Sequence, residues 1–152
     1  MPLVTLLCLV VAISDGDTLT ARCGTPGAYQ PIKVRIAAID APESRQAFGQ
    51  KSRQNLARLC FKHQATLQQV DTDAYGRMVA NVRCSGSDAA TAQVHAGLAW
   101  VYTPYANEHP HLAPLQRQAR SNAVGLWSQQ RPMPPWQYRH RYGRTQTHGN
   151  NR

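Results

Sequence analysis

Three short stretches carry side chains that could do chemistry together: "DGDT" at residues 15–18, "VRIAAIDAPES" at 34–44 and "DAYGR" at 73–77. Their candidate acids are Asp17, Asp40 and Glu43, and their cations are Arg35 and Arg77. Carboxylates can ligate a hard cation or act as a general base, and a guanidinium fork suits a pair of phosphate oxygens. Each stretch also has a plainer explanation. Asp-Gly between alternating apolar runs signals a two-residue β-hairpin, which accounts for Asp15 and Gly16 but leaves Asp17 over. Asp40 could end a strand, Glu43 could be the acid of a first helical turn, Arg35 could snorkel at the surface, and Arg77 could be a charge after a turn.

Composition says what such a group would meet. Lys and Arg number 17 against 8 Asp and Glu, for a net charge of +9 over 152 residues. That field attracts polyanions, nucleic acid foremost, although a basic surface that only confers solubility is the bland alternative. The length suits one domain with a single core. No segment reaches the ~18 apolar residues of a membrane span, so no membrane partner is expected. A Walker loop, a GxGxxG turn and a nucleophile elbow are all missing. His109 and His111 flank Pro110 without a third ligand, and His63 and His95 read as helix-surface or boundary residues.

The elements that must position these residues follow from periodicity. Residues 1–13 are apolar, but they lack a positive n-region and run straight into the Asp-Gly turn, so they read as a first strand and not a signal peptide. Thr18–Cys23 returns as the second strand, and "IKVRIAAID" alternates as the third. Residues 44–61 read as an amphipathic helix, "ATLQQV" and "MVANVRC" as two further strands, and residues 89–97 and 112–124 as two more helices. The predicted fold is α+β and mainly β: a five-stranded OB-fold barrel with about three helices, one inserted between strands 3 and 4. The domain is expected over residues 1–128. Residues 129–152, basic and rich in Pro, read as an extended, flexible tail.

Four cysteines, Cys8, Cys23, Cys60 and Cys84, show no CxxC or zinc-finger spacing. If Asp15-Gly16 is the turn, Ser14 faces Asp17, Ala12 faces Leu19, Val10 faces Ala21 and Cys8 faces Cys23. That last position is a non-hydrogen-bonded pair, where Cα atoms approach to about 4.5 Å and a disulfide fits. Cys60 and Cys84 are then a second pair by elimination. Such pairing implies an oxidising compartment; four reduced core cysteines in a cytosolic protein are the alternative.

In this order and spacing the three stretches, with "AQVHAGLAWVY" and "ARSNAVGLW" downstream, resemble the staphylococcal nuclease (thermonuclease-like) family over about Val10–Trp127. The resemblance implies a Ca²⁺-dependent phosphodiesterase on an OB-fold. Asp17 and Asp40 match carboxylate ligands of the Ca²⁺ ion, and the backbone carbonyl of Ala41 matches a third ligand. Glu43 matches the residue that orients or deprotonates the attacking water, and Arg35 and Arg77 match the arginines that grip the scissile phosphate. Tyr75 and Tyr105 fall where the family keeps nucleotide-stacking aromatics. The chain departs from the family pattern at Ala41, where some members have threonine, at Ala74, where the family has lysine, and at Thr103, where it has tyrosine.

These matches imply a monomeric endonuclease, secreted or periplasmic, cleaving DNA and RNA with little sequence specificity, preferring single strands and leaving 3′-phosphate ends. Two other classes stand beside it. One is a catalytically inactive OB-fold module that binds nucleic acid, against which the retained Asp17, Asp40 and Glu43 argue. The other is an interaction domain whose basic tail binds acidic partners.

Overall fold

The computed structural model describes residues 5–143. In chain order the elements are β1 (Thr5–Asp15), β2 (Thr18–Cys23), β3 (Gln30–Ile36), a two-residue β4 (Ile39–Asp40) and α1 (Gly49–Cys60). They continue as β5 (Gln64–Thr72), β6 (Met78–Cys84), β7 (Ser87–Asp88), α2 (Ala89–His95) and β8 (Trp100–Val101). A 3₁₀ turn (Ala106–Glu108), α3 (Leu112–Ser121), a second 3₁₀ turn (Gly125–Ser128) and α4 (Pro135–Tyr142) complete the described chain. The long strands pair antiparallel in the order β3-β2-β1-β5-β6, and a parallel β3–β6 pairing closes them into a five-stranded barrel. This mixed, mainly β barrel with α1 between its third and fourth strands is the expected OB-fold. Of the first-strand reading, residues 1–4 lie outside the described residues.

Alternation fills the barrel. Leu19 and Ala21 of β2, Val34 and Ile36 of β3, Leu67 of β5, and Ala80 and Val82 of β6 are buried at period two. Each fully buried Leu or Ile contributes roughly 1.5–3 kcal/mol. On β1 the inward residues are Cys8, Val10 and Ile13, a step of two and then three. A bulge between Val10 and Ala12 causes that change of step, and a second bulge follows between Ile13 and Asp15.

The bulges correct the expected hairpin. Asp15 pairs with Thr18, so the turn residues are Gly16 and Asp17 and not Asp15 and Gly16. Each bulge then shifts the register by one residue, and Val10 returns opposite Ala21 as the unbroken pattern predicts. Cys8 therefore bonds Cys23 at a Cα separation of 4.5 Å, and Cys60 at the end of α1 bonds Cys84 at the end of β6. Two disulfides at the barrel wall fit an oxidising environment. No helix among the described residues is long and apolar enough to cross a membrane.

Other boundaries also differ from periodicity. The third strand breaks at Ala37–Ala38, where Ala38 takes φ 72°, and resumes as β4, which pairs with β8. Helix α1 begins at Gly49 and not at residue 44, because residues 43–49 form successive turns: Gln46 N–H donates to Glu43 O and Gly49 N–H to Gln46 O. Glu43 thus sits in a turn ahead of the helix. Gly49, Ser52, Leu56 and Cys60 are the buried face of α1.

The segment read as an extended tail is partly helical and packed. Trp136 of α4 stands edge-on to Trp100 at 5.5 Å, and Trp100 packs in turn on Trp127 at 4.6 Å. Gln46 Nε2 donates to Met133 O at 2.6 Å. Residues 144–152 of that tail lie outside the described residues.

Candidate active site

One cleft of about 320 Å³ opens where the β1–β2 turn, the end of β3, the residues after β4 and the β5–β6 loop meet. Asp17, Arg35, Asp40, Glu43, Tyr75, Arg77 and Tyr105 all line it. Of the residues singled out from sequence, Ala41 is not among the lining residues.

The β1–β2 turn is set into the fold by its neighbours. Gln93 Nε2 donates to Gly16 O at 2.7 Å, and Ser52 Oγ donates to Leu98 O beside it. A Cβ on Gly16 would come within 1.8 Å of Ser52 Oγ, so glycine is required here for space. The turn presents Asp17, only 6% exposed. Its Oδ1 accepts from Thr18 Oγ1 at 2.8 Å and its Oδ2 from the Ala41 amide at 2.7 Å, tying the turn to the residue after Asp40.

Arg35 is similarly fixed. Its Nη1 donates to the carbonyls of Ile36 and Ile39, both at 2.7 Å, bridging the kink at Ala37–Ala38. Its Nη2 lies 3.6 Å from Asp17 Oδ2 and 3.5 Å from Asp40 Oδ1. The kink that strand periodicity cannot show is thus what brings Arg35 to both aspartates. In the β5–β6 loop Asp73 Oδ1 accepts from the amides of Tyr75 and Arg77, while its Oδ2 accepts from Arg77 Nε at 2.7 Å. Burial pushes the Asp73 carboxyl up, but these bonds outweigh it and hold the group below the usual carboxylate range. Tyr75 is 69% exposed, with the Arg77 guanidinium 5.3 Å from its ring centre. The Tyr105 hydroxyl donates to Asp71, which raises its pKa to about 12.

Two participants are not apparent from sequence as site residues. Asp15, read only as a turn residue, lines the cleft, and its buried Oδ1 has no hydrogen-bond partner among the described residues. Burial and then the charges of Asp17 and Glu43, against Arg35 and Arg77, push its carboxyl up to about 7. The second is Arg139 of α4. Its Nη2 donates to Asp40 Oδ2 at 2.8 Å, and its Nη1 donates to Asp40 Oδ1 at 3.2 Å and Glu43 Oε2 at 2.9 Å. Burial, the largest influence on Asp40, raises its pKa, and the bond from Arg139 opposes it. The signal for α4 is present in "PPWQYR", with proline at the first helical position, but the prolines read more readily as an extended chain.

The donors gathered here are all hard oxygens, the kind that Ca²⁺ and Mg²⁺ take, and the orphaned Asp15 oxygen adds to an excess of acid. No three His, Cys, Asp or Glu converge as a ready-made metal group among the described residues. Between Asp40 and Glu43 stands the Arg139 guanidinium.

A closed mixed barrel with carboxylates and guanidiniums gathered beside its β1–β2 turn defines an OB-fold protein with a charged, cation-compatible cleft. The chain belongs to the staphylococcal nuclease homologue family, which it matches over residues 33–129. It is 42% identical over 132 residues to a Haemophilus influenzae protein named as an uncharacterized endonuclease, covering 87% of this chain and 72% of that one. It is 38% identical over 140 residues to protein ParB of Escherichia coli, covering 86% of this chain and 77% of that one. It is 35% identical over 140 residues to a micrococcal nuclease of Shigella flexneri, covering 86% and 78%.

Proposed function

We propose that this chain is an endonuclease that hydrolyses phosphodiester bonds of DNA and RNA with little sequence specificity, requires Ca²⁺ and leaves 3′-phosphate ends. The observation that carries the reading is the meeting of Asp17, Asp40, Glu43, Arg35 and Arg77, from three separated stretches, in one cleft of a strongly basic chain. Family membership and relatives named as nucleases support it. Asp17, Asp40 and the carbonyl of Ala41 would hold the Ca²⁺ ion, which when bound supplies positive charge to polarise a phosphoryl oxygen. Glu43 orients the attacking water and takes its proton. Arg35 and Arg77 hold the non-bridging phosphate oxygens and favour the extra negative charge of the five-coordinate transition state. Asp73 positions Arg77 by occupying its Nε, leaving the two Nη groups to donate elsewhere.

Tyr75, exposed beside Arg77, offers a stacking face that any base can use, and Tyr105 also lines the cleft. A preference for single strands follows, since a stacked base must leave its partner. The two disulfides support a secreted or periplasmic enzyme, which we propose acts as a monomer. The working domain extends beyond residue 128 to include α4, because Arg139 reaches Asp40 and Glu43.

The test is release of acid-soluble nucleotides from denatured DNA, with Ca²⁺ or with chelator, comparing the chain with Glu43→Ala. Activity is expected only with Ca²⁺, and the variant should lose at least ~10²-fold while still binding DNA. A folded chain that binds DNA and never cleaves it would instead be the inactive OB-fold binding module.

A further inference from the structure

Asp40 is 1% exposed, and both of its carboxylate oxygens accept hydrogen bonds from the fork of Arg139. Arg139 Nη1 also reaches Glu43, so one guanidinium joins two carboxylates that would otherwise repel across the cleft. This contact spans 99 positions in sequence between Arg139 and Asp40 and comes from a helix of eight residues without a side-chain N-cap. α4 and its approach also make the Gln46–Met133 bond, set Trp136 against Trp100 and bury Pro135. Among the described residues, the ion pairs of α4 run to the carboxylates a divalent cation would use.

We propose that Arg139 is a built-in counter-ion of the cleft: it neutralises Asp40 and Glu43 and competes with the divalent cation for them, so that cation binding loosens α4. The inference rests on reading the cleft as a cation-dependent phosphodiesterase site. The physics fixes the sign. A cation that ligates Asp40 meets the Arg139 charge already held on both oxygens of that carboxylate, and like charges repel, so removing a positive charge from an acidic cleft strengthens its hold on a cation. A merely structural arginine would have the opposite effect, because its loss would scatter the ligands and weaken binding.

The experiment is calorimetric titration of the full chain with CaCl₂, beside Arg139→Gln and Arg139→Lys, with amide exchange across residues 135–142 measured with and without Ca²⁺. Arg139→Gln should bind Ca²⁺ roughly tenfold more tightly, the scale set by losing charge-assisted hydrogen bonds to the competitor. Arg139→Lys, which keeps the charge but not the fork, should fall between, and it serves if the glutamine variant does not fold by circular dichroism. In the wild type, Ca²⁺ should speed exchange in α4. Equal or weaker Ca²⁺ binding by the variants, or unchanged exchange in α4, overturns the proposal. If the wild type still digests DNA with Ca²⁺, only the counter-ion role fails; a chain that neither binds Ca²⁺ nor digests DNA overturns the function and this inference together.

Discussion

Gly16→Ala tests whether the site depends on how the β1–β2 turn is seated. The added Cβ would lie 1.8 Å from Ser52 Oγ, 2.8 Å from Ser52 Cβ and 2.9 Å from Gln93 Nε2. It is about 1.5 Å short of ordinary contact, and Ser52 and Gln93 are both fully buried, so the turn must move rather than its neighbours. Overpacking costs about 1–3 kcal/mol. Breaking the buried Gln93–Gly16 or Ser52–Leu98 bond adds about 1–3 kcal/mol for the group left unpaired. A loss of about 2–6 kcal/mol in urea unfolding with chelator present is the expected sum. Because the turn carries Asp17, a displacement of this size should also lower nuclease activity by about 10²-fold. Ser52→Gly removes the two closest contacts and leaves only Gln93 Nε2 at 2.9 Å. It destabilises by itself through its helix position and its lost bond, yet in the Gly16→Ala background it should show a favourable coupling of about 1–3 kcal/mol. A Gly16→Ala chain with wild-type stability and undiminished activity, or a double variant without coupling, would refute the claim that this close approach holds the site together.

Asp73→Asn leaves the loop folded but removes the carboxylate that anchors Arg77; kcat in DNA digestion should fall by roughly tenfold or more with little change in Tm. The Asp15 carboxyl, raised to about 7 from an ordinary 3.8, keeps a proton that the unfolded chain releases near pH 4. Its linkage therefore lowers stability as pH rises from about 4 to 7 and is level above that, on the order of 4 kcal/mol at most. With chelator present, urea unfolding of Asp15→Asn should lack this decline and be more stable than wild type at pH 8. The Cys8–Cys23 and Cys60–Cys84 bridges close loops of 15 and 24 positions, so each contributes about 3 kcal/mol by chain entropy. Cys60→Ala with Cys84→Ala should lower unfolding stability by that amount, and non-reducing peptide mapping should recover both pairs from the wild type.

Much of the barrel was legible because its signals are local and periodic. Alternating apolar residues identify the long strands, and the spacing of Leu56 and Cys60 marks the inner face of α1. The hairpin shows where that stops. An unbroken count from an Asp-Gly turn places Cys8 opposite Cys23, yet the turn is at Gly16-Asp17, and the outer register returns only because two bulges each add a residue. Alternation marks where a strand lies but not where it skips a residue, since a bulge answers to the curvature of a closing barrel.

At the site the division is the same. By itself the sequence determined most of the cast of acids and arginines and the basic field around them, because residue type and short spacing carry that information; its pairing of Cys8 with Cys23 came right through two bulges that the count did not contain. Only the tertiary structure decided that Asp15 lines the cleft with one buried oxygen lacking a hydrogen-bond partner among the described residues, that a kink at Ala38 turns Arg35 toward Asp17 and Asp40, and that Arg139 closes on Asp40 and Glu43. These depend on burial and on contacts between distant segments, up to 99 positions apart, and such contacts exist only once the barrel has closed and α4 has packed against it.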